Sequence, residues 1–301
     1  MFKRALISTD LSDGLHRLVD FVPDLAASGL QQIVFLHTVL LWQEGRIPRE
    51  DTEKLQSAKS RLSVAQVPSG VDVKVEVFTS NKPHEAILQT AETYQSDIII
   101  LGASTQNLLN EKLFGSTSVT VSQQTETPLM VLRPRLVSIY TTEELSLRCQ
   151  HLFRYLMIPY DGSDSADYLV QQIKQYAQDR PSGLSHCLLI WVVEEGGIRE
   201  LRKHEELQLA RETLASVKAD LSQLDLEVIV EMRQGDPLPE IFNAALEHDI
   251  AAIAISSLRH NKLLDWSVPS FSNQLLRSSW HPIVFFPPPR CAKNREGRHR
   301  G

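Results

Sequence analysis

The residues best placed to do chemistry lie between Gly102 and Ser118. They read Gly102-x2-Thr105-x9-Gly115-Ser116, followed by Thr117 and Ser118. The run follows an unbroken apolar stretch, Ile98-Ile99-Ile100-Leu101, and precedes Pro128 and a second one, Leu129-Met130-Val131-Leu132. Both stretches read as buried parallel strands, with a loop and a helix between them. A loop that leaves a strand and ends at a helix N-terminus presents free N–H groups and the positive end of the helix dipole, so it can hold an anion. Gly102 would permit a close backbone approach or simply make a tight turn. Gly115, Ser116, Thr117 and Ser118 would supply N–H and hydroxyl donors or cap the helix. Thr105 adds a β-branch where the main chain would have to approach a ligand. Asp10, at the end of the first strand, could accept hydrogen bonds from a ribose or orient a metal-bound phosphate; it could equally cap the first helix.

Other chemistries find no footing in the sequence. No pair of histidines has metal-ligand spacing, and GxSxG, HExxH and a true P-loop are all missing. The acidic run Glu50-Asp51-Thr52-Glu53 fits a helix start, where the dipole favours negative charge. Glu194-Glu195 beside Gly196-Gly197 marks a loop. His37 reads as a packed strand residue.

The elements that must position the loop follow from periodicity. Strands are expected at residues 5–8, 33–39, 71–77 (half exposed, at a sheet edge), 98–101 and 129–132. Helices are expected from about residue 13 to Ala27, with a break or kink at Pro23, then over residues 49–65 and 83–94. Residues 136–152 read as a linker, with Thr141-Thr142-Glu143-Glu144 as a helix cap. The pattern then restarts, with strands at 155–159, 186–193, 226–232, 250–255 and 283–286, and helices over 200–224 and 237–247. Strands alternating with helices imply a parallel sheet covered on both faces.

The restart is a repeat. Pro83, Ile87, Ala91, Ile99, Ser116, Ser118, Pro128 and Pro134 recur 154 positions later as Pro237, Ile241, Ala245, Ile253, Ser270, Ser272, Pro282 and Pro288. The loop itself resembles the nucleotide loop of the universal stress protein family, Gly-x2-Gly-x9-Gly-Ser/Thr, with Thr105 at the second glycine. The resemblance covers both halves. It implies an α/β fold of two tandem open parallel-sheet domains, adenine nucleotide alpha hydrolase-like. Each would have five strands in the order 3-2-1-4-5, helices on both faces and a site at the ends of strands one and four. The domains are expected at 1–135 and 153–289, with a linker at 136–152. The resemblance implies ATP or another adenine nucleotide, with the backbone at Thr38 meeting the adenine. The expected site is then Asp10, Thr38, Gly102, Thr105, Gly115, Ser116 and Thr117. In the second half Ser256, Arg259 and Pro269 occupy the glycine positions. Pro269 lacks an N–H. Arg259 is expected near the vacated phosphate pocket, pairing with Asp161, and Trp191 is expected to add bulk there, so nucleotide is expected in the first domain only.

Composition sets the outer limits. The chain has 301 residues, 42% of them hydrophobic, enough for two cores. A net charge of −6 gives no electrostatic case for nucleic acid or a membrane surface. Cys149, Cys187 and Cys291 are isolated, which fits reduced thiols and a cytoplasmic setting. No stretch has the length of a membrane span, and MFKRALISTD reads as a strand, not a signal peptide. Residues 290–301 carry five Lys and Arg and read as a disordered basic tail. The resemblance implies a regulatory stress-response or signalling module acting through unknown protein partners, with the fifth strands paired as an internal pseudo-dimer and a homodimer left open. A nucleotide-free scaffold and a slow ATPase are the alternatives.

Overall fold

The computed structural model describes residues 1–41, 50–102, 116–178, 183–194, 200–257 and 271–288, with backbone only at 116, 134–136, 200–204 and 206. The first half runs β1 (Arg4–Ser8), a 3-10 helix (Leu15–Phe21), α1 (Val22–Ala27), β2 (Gln32–Val39), α2 (Thr52–Arg61) and β3 (Asp72–Thr79). It continues with α3 (Pro83–Thr93), β4 (Ile98–Gly102), α4 (Ser116–Gln124) and β5 (Leu129–Leu132). Two short helices follow, α5 (Pro134–Ile139) and α6 (Thr142–Gln150). The second half runs β6 (Tyr155–Pro159), α7 (Asp164–Ala177), β7 (His186–Val193), α8 (Glu200–Ser222) and β8 (Glu227–Gln234). It closes with α9 (Pro237–Glu247), β9 (Ala252–Ser256), α10 (Phe271–Ser278) and β10 (Ile283–Phe286).

All ten strands form one sheet, ordered β3-β2-β1-β4-β5-β10-β9-β6-β7-β8. Each half has the expected order 3-2-1-4-5, and its strands pair in parallel. The halves join where β5 meets β10 antiparallel, with Leu129 opposite Phe285, Met130 opposite Val284 and Val131 opposite Ile283. These apolar edges cover each other. The outer edges are β3 and β8, and both carry paired charge: Lys74 with Asp72 at 3.0 Å, and Arg233 with Glu231 at 2.6 Å.

The 154-residue offset holds for β2 and β7, α3 and α9, β4 and β9, and β5 and β10. Between β1 and β6 it is 151, so the second half has gained three residues around its first helix. There α7 is one regular helix, whereas the first half has a 3-10 stretch before α1 with Pro23 at its start. Proline fixes φ and lacks a donor, so the new helix begins beside it.

A core lies on each face of the sheet, and both run through the two halves. At the joint Phe2 packs against Phe153 and Tyr176, each with ring centroids 5.1 Å away, and against Phe286 at 6.4 Å. The linker is folded. Thr141 and Glu144 close a reciprocal capping box on α6, and Leu145 and Cys149 of that helix are buried. Arg17 donates to the Val137 and Tyr140 carbonyls, fastening the end of α5 to the first half. Among the described residues no helix is long and apolar enough to cross a membrane. The basic tail at 290–301 lies outside the described residues.

Candidate functional site

A cleft of about 640 Å³ opens at the carboxyl ends of β1, β2 and β4. It lies where the strand order reverses, the place an open α/β sheet leaves for a ligand. Of the expected site residues, Asp10, Thr38, Gly102 and Thr117 line it. Ser118 and Val39 line it too. Helix α4 is described from Ser116 onward. Thr105 and Gly115 lie outside the described residues.

The turn after β1 holds the polar centre. Asp10 is exposed, and its Oδ1 accepts from the Ser12 N–H and hydroxyl, each at 2.8 Å. It therefore closes its own turn and does not cap the helix. Asp13 lies just before the 3-10 helix, and its Oδ1 accepts from the Leu15 N–H at 2.9 Å and from the Thr9 hydroxyl at 2.5 Å. Asp13 is only 6% exposed, and burial pushes its carboxyl up to about 6, with the Asp10 charge adding to the rise. Gly102 makes room for it. A Cβ at Gly102 would lie 2.8 Å from the Asp13 Cβ. The close approach that Gly102 permits is thus, within the protein, to Asp13.

The wall carries cations that the sequence pattern hid. Lys54 and Arg61 line the cleft from α2. Arg61 donates to the Leu11 carbonyl at 3.0 Å, and Lys54 pairs with Asp51 at 3.1 Å. His37 Nδ1 lies 2.8 Å from the Thr9 carbonyl. A carbonyl only accepts, so Nδ1 carries the hydrogen and ties β2 to the end of β1. The signal for Asp13 was its place three residues after Asp10 and just before an apolar helical face. For Lys54 and Arg61 it was their spacing of seven, which puts both on one side of α2.

The second half has the matching cleft, of about 570 Å³, at the ends of β6, β7 and β9. Its turn repeats the first: Asp161 Oδ1 accepts from the Ser163 N–H at 3.0 Å. Gly162 has φ 72°, and Leu11 at the same point has φ 65°. Leu11 thus bears left-handed strain that glycine avoids. Trp191, expected to add bulk near the second site, packs on the turn beside it. Trp191 packs on Tyr160, at 5.8 Å, and over Gly162, where a Cβ would meet its ring at 3.0 Å. It belongs to the core side and is not among the residues lining the cleft. The chemistry differs instead. The described lining holds Asp161, Asp164 and Glu194 and no Lys, Arg or His. Where Gly102 stands in the first half, Ser256 donates to the Ser165 carbonyl at 2.6 Å, and Ser272 donates to the Ser256 carbonyl at 3.1 Å. Arg259 and Pro269 lie outside the described residues, and so does the expected pairing with Asp161.

Comparison with known proteins matches this architecture. The model of the universal stress protein family matches residues 1–133 and again 153–287. This chain belongs to the universal stress protein family, in tandem form. The universal stress protein MJ0577 of Methanocaldococcus jannaschii is 23% identical over 158 residues, which is 44% of this chain and 96% of that protein. A universal stress protein from Archaeoglobus fulgidus has the same fold over nearly the whole chain: TM-score 0.62, 19% identity, 94% of this chain and 98% of that one. The functionally unknown protein PA1789 of Pseudomonas aeruginosa superposes with TM-score 0.59 at 12% identity, covering 95% of this chain and 93% of that one. At these identities the two structures speak for the fold alone.

Proposed function

We propose that this tandem universal stress protein is a regulatory module that binds an adenine nucleotide in the first-half cleft, while the second half serves as a structural copy without nucleotide. The observation that carries the reading is the contrast between the clefts. They are similar in size, at about 640 and 570 Å³, so space does not separate them. Charge does. Lys54 and Arg61 face the first, and its helix α4 begins beside Thr117 and Ser118. The described walls of the second bring three carboxylates, and the hydroxyls of Ser256 and Ser272 donate to the protein's own carbonyls. A polyphosphate favours the first on Coulombic grounds. In this arrangement Thr38 and Val39 border the base, Asp10 reaches the sugar, and the start of α4 meets the phosphates.

The test is to purify the full chain and identify any retained nucleotide by mass spectrometry. Retained ATP is the expected result. ADP with release of phosphate would point to a slow ATPase, and no nucleotide to a scaffold. Gly115→Leu should abolish retention; unchanged retention would move the site out of the first half.

A further inference from the structure

We propose that the cavity under the linker helices is a separate binding site for a small organic anion with an apolar body, such as an alkyl or aryl monocarboxylate. It is independent of the nucleotide reading. The cavity measures about 470 Å³, within the range of small-molecule sites. Its floor is the sheet near the joint, Ile100 and Leu132, flanked by Leu18 and Leu25. Helix α6 roofs it, and Trp280 and Pro282 of the second half close the far wall. Both halves and the linker therefore contribute.

The charges set the ligand's sign. Three arginines line the cavity, Arg133, Arg148 and Arg154. None of them has a carboxylate within ion-pair distance among the described residues. Arg133 spends Nε and Nη2 on the carbonyls of Leu276, Arg277 and Ser279 at the end of α10. Its partners are neutral, and burial lowers its pKa. Arg148 lies over the Tyr140 ring, 5.7 Å from its centroid, which holds its guanidinium near the cavity without neutralising it. Two carboxylates also line the space. Glu144 accepts from the Thr141 N–H in its capping box and keeps its charge, so three arginines stand against two carboxylates, Glu144 and Asp249. Large apolar groups stand open at the rim: Trp280 is 65% exposed and Leu147 56%. An apolar hollow lined by arginines without a carboxylate partner is complementary to a carboxylate head on a hydrocarbon body.

The test uses decanoate and 2-naphthoate as probes on the full chain, by calorimetry and tryptophan fluorescence, below the concentration at which decanoate aggregates. Saturable binding of at least one of them is expected, unaffected by saturating ATP. Decanol and decyltrimethylammonium should bind about tenfold more weakly, since loss of one charge-assisted contact costs about that factor. Arg148→Gln with Arg154→Gln, both on the surface, should weaken the anions by about tenfold or more and leave decanol unchanged. Trp280→Phe should remove the fluorescence change while calorimetric binding persists. The proposal is overturned if neither anion binds, if decanol and the cation bind as tightly, if the arginine pair is dispensable, or if ATP competes.

Discussion

Asp13 is buried beside the Thr9 hydroxyl and the Leu15 N–H, and its carboxyl keeps its proton up to about pH 6. An unfolded chain gives that proton up near 3.8. Between those two values the folded protein holds more protons, so stability from this group is full below the lower value and is lost as pH rises through 6. Asp13→Asn keeps the shape of the protonated acid. It should match the wild type near pH 4 and exceed it by up to about 3 kcal/mol at pH 7, read by urea unfolding across that window. Gly102→Ala works on the same contact, because its methyl would meet Asp13; a loss of about 1–3 kcal/mol is expected by the same measurement. At this scale the sequence was only partly legible. The turn Thr9 to Asp13 was recognisable as polar and helix-opening. Which of its two carboxylates would be buried was not, since both stand one or two residues from a possible cap. Only Gly102, brought in from a strand 89 residues away, decides it.

Helices and strands were far more legible. The strands at 186–193 and 283–286 and the helix at 237–247 have the bounds expected from periodicity and from the proline at the helix start. Apolar runs this short and this bounded leave little freedom. The first helix was harder: Pro23 signalled a break, but not that the turn before it would wind as a 3-10 helix. The linker kept more back still. Its Thr-x2-Glu signature announced the start of α6, yet nothing local told that Leu145 and Cys149 would be buried against the first half. Burial of that kind depends on partners distant in sequence. The capping box also gives a prediction for this element. Thr141→Ala should cost about 1 kcal/mol, seen as a lower urea midpoint with an unchanged slope. It should also loosen the roof of the cavity beneath α6.

For the molecule as a whole, the halves share both cores and one sheet. A chain built this way should unfold in a single transition. Phe2 is the sharpest probe, since it is 1% exposed and its ring meets Phe153, Tyr176 and Phe286 across the joint. Phe2→Ala should cost about 3–5 kcal/mol, and calorimetry should show a lower melting temperature for the whole chain. A change confined to one of two separate transitions would mean that the halves fold independently. The tandem plan was readable from the repeat, and the β5–β10 seam was what the family resemblance implied, for two fifth strands apolar enough to need cover. The difference between the clefts was less readable, because among the described residues it lies in side chains that no motif marks, such as Lys54 and Arg61 of α2 against Asp164 and Glu194.

The central claim is that the halves share a fold but differ in ligand. A crystal structure of the full chain grown with a non-hydrolysable ATP analogue tests it most directly. The account predicts the adenine beside Thr38 and Val39, the phosphates at the start of α4 near Thr117 and Ser118, and no nucleotide in the other cleft. Density for the analogue beside Ser256 with the first cleft vacant would contradict it.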